Sequence, residues 1–147
     1  MSNVELINDN NLDCRFAIFK NANLTLASGT ILENFKLAFK TFGSLNEKKT
    51  NAILICHALT GDQYVTGDNP ITGKDGWWSR MVGPDKPIDT NNFFVICSNV
   101  LGGCAGSTGP KEKNDNEQDI YGGNFPSITI QDMVGAQSKL LDALEID

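Results

Sequence analysis

Two uninterrupted apolar runs break an otherwise mixed pattern: Ala52-Ile53-Leu54-Ile55-Cys56 and Phe93-Phe94-Val95-Ile96-Cys97. Each is too short for a core helix and carries β-branched or aromatic residues. That predicts strands buried on both faces, as in the middle of a parallel sheet. Both runs stop abruptly. The first gives way at His57 to Ala58-Leu59-Thr60-Gly61-Asp62, and the second at Ser98 to a glycine-rich loop that reaches Pro110. Polar loops at the carboxyl ends of parallel strands are where α/β proteins place ligands. Two such loops predict two walls of one cleft, with backbone N–H groups freed from the ladder to stabilise a developing oxyanion. The plain alternative is a pair of strand–loop junctions with no chemistry.

The flanking pattern is different. Residues 1–13 are rich in Asn and Asp and read as a loose arm. Residues 15–20 and 24–27 are short strand candidates. Residues 30–42 alternate, with Phe35, Leu37, Phe39 and Thr41 on one side and Lys36, Ala38 and Lys40 on the other. That period of two predicts an antiparallel strand with one wet face, so the chain opens with an antiparallel meander. Residues 76–81 suggest a short helix stopped by Gly83-Pro84. Residues 111–121 are highly charged and read as a surface excursion. Thr129 and Asp132 have capping-box spacing, with Ser127 the other cap candidate. Behind them Ile130, Met133, Val134, Gln137, Leu140, Leu141 and Leu144 recur at helical spacing. No strand follows that helix, so the sequence reads as the front part of one larger domain spanning all 147 residues, without internal repeats or a linker.

Composition narrows the function. Hydrophobic content of 40% and charged content of 20% indicate a globular chain. The net charge is −6, and no basic cluster extends beyond Lys48-Lys49, which argues against nucleic acid and anionic membranes as partners. No apolar run approaches the roughly 20 residues of a membrane span, and the polar N-terminus lacks a signal-peptide pattern. A soluble cytoplasmic protein is the expectation. One histidine and four cysteines without C-x-x-C spacing do not suggest a metal site. Cys56 and Cys97 read as small core residues. Cys56 and His57 alternate across a strand, so they do not form a dyad while the strand persists. No Gly-Lys-[Ser/Thr] follows the second loop, which excludes a P-loop. Gly102-Gly103-x-x-Gly106 matches a dinucleotide fingerprint weakly, and no helix follows it directly. Ser107 and Thr108 lack a neighbouring base and read as loop hydrogen-bonding residues. Lys111, Lys113 and Arg80 read as solvated charge, with the phosphates of a ligand as the alternative contact.

One ordered series of motifs resembles a known family. It comprises His57-Ala58-Leu59-Thr60-Gly61-Asp62, Asp75-Gly76-Trp77-Trp78, Ser98-Asn99-Val100-Leu101-Gly102-Gly103-Cys104, Gly106-Ser107-Thr108-Gly109-Pro110, and Phe125-Pro126 before Ile130-Gln131-Asp132-Met133-Val134. From about Phe16 onward the chain resembles the N-terminal portion of the homoserine O-acetyltransferases. The resemblance implies an incomplete α/β-hydrolase fold, with parallel strands and flanking helices after the meander. It implies acyl transfer from acyl-CoA, with acetyl-CoA favoured over succinyl-CoA, to L-homoserine, with serine the other acceptor. A serine acyl-enzyme carries the acyl group, on the way to methionine. An esterase of the same fold is the alternative.

By the same resemblance the serine elbow begins just after Asp147, and the triad acid and base come later still. His57 is then not the general base. The Leu59 N–H supplies one oxyanion hydrogen bond. Ala58, Thr60, Trp77, Trp78, Asn99, Gly102 and Gly103 line the cleft. No cofactor is bound, and the implied partners are small-molecule substrates and a second copy of the chain in a homodimer.

Overall fold

The computed structural model describes residues 3–113 and 119–146. Part of the charged excursion expected over 111–121 therefore lies outside the described residues. A five-stranded sheet organises the rest. Its strands are β1 (Asn3–Asp9), β2 (Cys14–Lys20), β3 (Phe35–Phe42), β4 (Ala52–Ile55) and β5 (Phe94–Ser98). The spatial order is β1-β2-β3-β5-β4. Neighbours from β1 to β5 run antiparallel, and β5 and β4 run parallel. The meander and the parallel pair expected from sequence are both present.

The first thirteen residues are a correction. Residues 3–9 form strand β1, paired with β2 along its whole length from Asn3 opposite Lys20 to Asp9 opposite Cys14. The physical reason is the turn. The Asp9 carboxylate accepts the N–H groups of Asn11 and Leu12 at 2.9 and 3.0 Å, an Asx-type turn that closes the hairpin. The Tyr64 hydroxyl donates to the Leu12 carbonyl and ties that turn to the molecule.

The face of β3 expected to be wet is largely covered, a second correction. Phe35, Leu37, Phe39, Phe94 and Ile96 join Ala136 and Leu140 of the helix α1 (Ile130–Ala143) in one core. On the opposite face Ala38 is 0% exposed and packs with Cys14, Phe16 and Tyr64. There Ile55, Val95 and Cys97 pack with Val65 and Val82. The irregular segment between β4 and β5 thus roofs the face that alternation marked as exposed. The strand expected over 30–42 is also split. Ile31–Leu32 pairs back onto Leu24–Thr25, and β3 begins only at Phe35.

The helix expected over 76–81 does not form. The N–H groups of Trp77 and Trp78 donate across to the carbonyls of Tyr64 and Val65. Those cross-chain bonds hold the segment as turns. Strand β4 is an edge of the sheet among the described residues. Most of it is only half-buried and Cys56 is exposed, so neither the two-faced burial of that run nor a core role for Cys56 holds.

Helix α1 carries the expected capping box. The Thr129 hydroxyl accepts from the Asp132 N–H, and the Asp132 carboxylate accepts from the Thr129 N–H at 2.8 Å. Asp132 also accepts from the Ala27 N–H at 2.7 Å, so the cap doubles as a tertiary tie. Its buried face centres on Ala136, Gln137 and Leu140, and Ile130 and Val134 are exposed. The hydrogen bonds from Thr129, then from Ala27, hold the Asp132 carboxyl below the usual carboxylate range. A group with a depressed folded-state pKa stabilises above its unfolded pKa and loses that contribution as pH falls through the folded value. Asp132→Asn is therefore expected to lower the unfolding midpoint at neutral pH. The gap to wild type should close as a urea titration series descends below about pH 4, the ordinary range of such a carboxyl.

Candidate active site

The parallel pairing of β4 and β5 decides where the two special loops emerge. Phe94 faces Ala52 and Cys97 faces Ile55 in register. Both strands therefore end at the same rim, and their loops open beside each other. The first loop turns tightly, with the Gly61 N–H donating to the Ala58 carbonyl at 2.7 Å. A Cβ on Gly61 would stand 2.9 Å from the Cβ of His57, so only glycine fits. Leu59 projects from this turn 82% exposed. Its N–H makes no hydrogen bond among the described residues.

The second loop is braced from within. Asn99 is buried, accepts the Ala105 N–H on Oδ1 at 3.1 Å, and accepts the Ser107 hydroxyl on its carbonyl at 2.6 Å. A Cβ on Gly103 would stand 2.5 Å from Asn99 Oδ1, so the chain passes directly over that side chain. The Ser107 Oγ also accepts from Ala38, and the Thr108 Oγ1 accepts from Lys36 at 2.8 Å. Both hydroxyls hydrogen-bond, as read from the sequence; the structure shows that they fasten the loop to β3, and neither meets a base.

Two hollows flank the first loop. One, of about 310 Å³, is lined by Leu59, Gly102, Gly103, Cys104 and apolar side chains such as Phe125 and Met133. The other, of about 460 Å³, is lined by Ala58, Thr60, Asp62, Lys74 and Trp77 among others. Leu59, Ala58, Thr60, Trp77, Gly102 and Gly103 thus line hollows at this rim. Trp78 and Asn99 line neither. Trp78 packs into the apolar cluster around Val65 and Val82, and Asn99 sits behind the loop wall. The Trp77 indole N–H donates to the Asp62 carbonyl at 3.0 Å and its ring stacks on Trp78.

Sequence reading missed the working partners of His57. Its ring is 8% exposed and bonded at both nitrogens, to the Ala58 carbonyl and the Val100 N–H. It meets no thiol there. Cys56 lies against the Gln137 side chain at 3.9 Å. Burial pushes the Cys97 thiol up to about 12, which leaves it protonated and inert. Among the described residues no cluster of His, Cys, Asp and Glu has the makings of a metal site, and no helix is long and apolar enough to cross a membrane.

A strand-end cleft on a mixed sheet backed by a helix is a partial α/β-hydrolase fold. No family model matches the chain. The resemblance to the homoserine O-acetyltransferase family is nevertheless shown by individual relatives. The chain is 58% identical over 125 residues to a homoserine O-acetyltransferase of Acidiphilium cryptum, which covers 84% of this chain and 33% of that protein. Among solved structures it is similar to a homoserine O-acetyltransferase from Bacillus anthracis, at TM-score 0.79 and 31% identity over 90% of this chain and 37% of the other. It is as similar to esterase E22, at TM-score 0.80 and 32% identity over 90% of this chain and 38% of the other. The chain spans about a third of the length of the curated relatives it matches.

Proposed function

We propose that these residues form the oxyanion wall of a serine acyltransferase that moves an acetyl group from acetyl-CoA to the hydroxyl of L-homoserine, a step toward methionine. The observation that carries the reading is the unbonded Leu59 N–H, on the strand-end loop that shares a hollow with Gly102 and Gly103. It is supported by relatives named for that reaction. In the proposed cycle a serine elsewhere in the protein attacks the thioester carbonyl, and its proton passes to a base. The carbonyl oxygen becomes an oxyanion that accepts from Leu59. CoA departs as the thiol with that proton. The homoserine hydroxyl then attacks the acyl-serine and gives up its proton to the same base, which passes it to the departing serine oxygen. This 147-residue chain supplies the oxyanion side of the reaction and is catalytically silent alone. The complete protein works in the cytoplasm as a homodimer.

An esterase, with water as acceptor, is the second reading, favoured by the likeness to esterase E22. The protein expressed from its complete reading frame decides between them when mixed with acetyl-CoA, with and without L-homoserine. Thiol release that requires homoserine and yields O-acetylhomoserine supports transfer. Equal release without homoserine, with free acetate as product, overturns it in favour of hydrolysis. Succinyl-CoA and L-serine in parallel assays fix donor and acceptor.

A further inference from the structure

We propose that His57 is a positioning residue that staples the two cleft loops together and thereby fixes the Leu59 peptide. The inference rests on the acyltransferase reading above. His57 follows β4 by two residues, and Val100 follows β5 by two. The Val100 N–H donates to His57 Nε2 at 3.2 Å, and His57 Nδ1 lies 2.6 Å from the Ala58 carbonyl oxygen. One tautomer satisfies both contacts, with the proton on Nδ1 donating to Ala58 and the lone pair on Nε2 accepting from Val100.

The Ala58 carbonyl is therefore used twice, by the imidazole and by the Gly61 N–H at 2.7 Å. Those two bonds hold the near end of the turn that carries Leu59. Val100 itself lines the hollow that Leu59 lines. A single ring thus sets the spacing between the proposed oxyanion donor and the opposite wall. Removing it leaves the part-buried Val100 N–H without its partner, and such an orphan drives local rearrangement. A shift of about 1 Å at a catalytic group costs on the order of 10²-fold in rate. The Gly61 backbone passes close against the His57 side chain, where an added Cβ would stand 2.9 Å from the His57 Cβ.

The test compares His57→Leu with His57→Gln in the protein expressed from its complete reading frame. The leucine fills much of the ring's volume without bonding. The glutamine Oε1 reaches as far as Nε2 and accepts from Val100. His57→Leu is expected to lower kcat on the order of 10²-fold with KM for acyl-CoA nearly unchanged, because a donor to the transition-state charge has moved. Its Val100 amide is expected to exchange with solvent more than about tenfold faster than wild type. His57→Gln is expected to restore slow Val100 exchange and to bring kcat to within about tenfold of wild type. If His57→Leu does not fold, His57→Asn, whose side chain is too short to meet both partners, takes its place. Wild-type kcat in the non-bonding variant overturns the proposal. So does an equal loss in the glutamine variant with Val100 still protected. A wild-type protein that transfers no acyl group would instead sink the acyltransferase reading, and the Val100 exchange comparison would still decide whether the staple exists.

Discussion

Prepared on its own, the 147-residue chain is expected to form no acyl-enzyme and to release thiol from acetyl-CoA no faster than buffer. A serine acyltransferase needs a free imidazole or its equivalent beside the nucleophile. The sequence has one histidine, and both nitrogens of its ring are engaged with the loop backbone. The hydroxyls of the cleft loop are committed as well. Ser107 donates to Asn99 and accepts from Ala38, and Thr108 accepts from Lys36. The Cys97 thiol within β5 is held protonated by burial. Losing the triad costs roughly 10⁴- to 10⁶-fold in kcat. A lone oxyanion donor contributes only about 10²- to 10³-fold. With no activated nucleophile beside it, that donor has no acyl-enzyme to stabilise. A chromogenic thiol assay checks the rate, and intact-mass measurement after incubation with acetyl-CoA checks for an adduct. An acetyl group on Ser107 or Thr108 would overturn the expectation.

The elements that carry the cleft were legible in the sequence because their signals are short-range. An unbroken apolar run ending at His57 or Ser98 marks both the strand and its carboxyl end, and parallel neighbours then share a rim. The capping box was legible for the same reason, since Thr129 and Asp132 are three residues apart. Long-range events were not. Nothing local to Ala38 says that Tyr64 will cover it. Nothing local to residues 76–81 says that Tyr64 and Val65 will take their N–H groups in place of a helix. The arm at residues 3–9 was masked by its Asn and Asp content, although the Asp9 side chain is what closes its hairpin. The site divided along the same line. Leu59, Gly102 and Gly103 came from loop position and resemblance. The bond between His57 and Val100 spans 43 residues, and no spacing rule announces it.

Replacing the peptide N–H of Leu59 by an ester oxygen is expected to lower kcat by about 10²- to 10³-fold, the cost of one oxyanion donor. The exchange is made by semisynthesis, with the α-hydroxy analogue of leucine at position 59 of the complete protein. It removes a donor that has no partner among the described residues, and it turns the Ala58 carbonyl, which accepts from the Gly61 N–H and lies 2.6 Å from His57 Nδ1, into a weaker ester acceptor. No hydrogen bond is removed outright, so the unfolding midpoint should drop only slightly while the rate falls by orders of magnitude. KM for acyl-CoA should hold, because the donor acts on charge that develops only in the transition state. Leu59→Ala is the control. The side chain is 82% exposed, so its loss should change kcat by no more than a few-fold. The two substitutions separate the backbone from the side chain at one position. An ester variant with wild-type kcat would remove Leu59 from the oxyanion hole. A large loss in Leu59→Ala would transfer the role to the side chain, as a contact for the acyl chain in the adjoining apolar hollow.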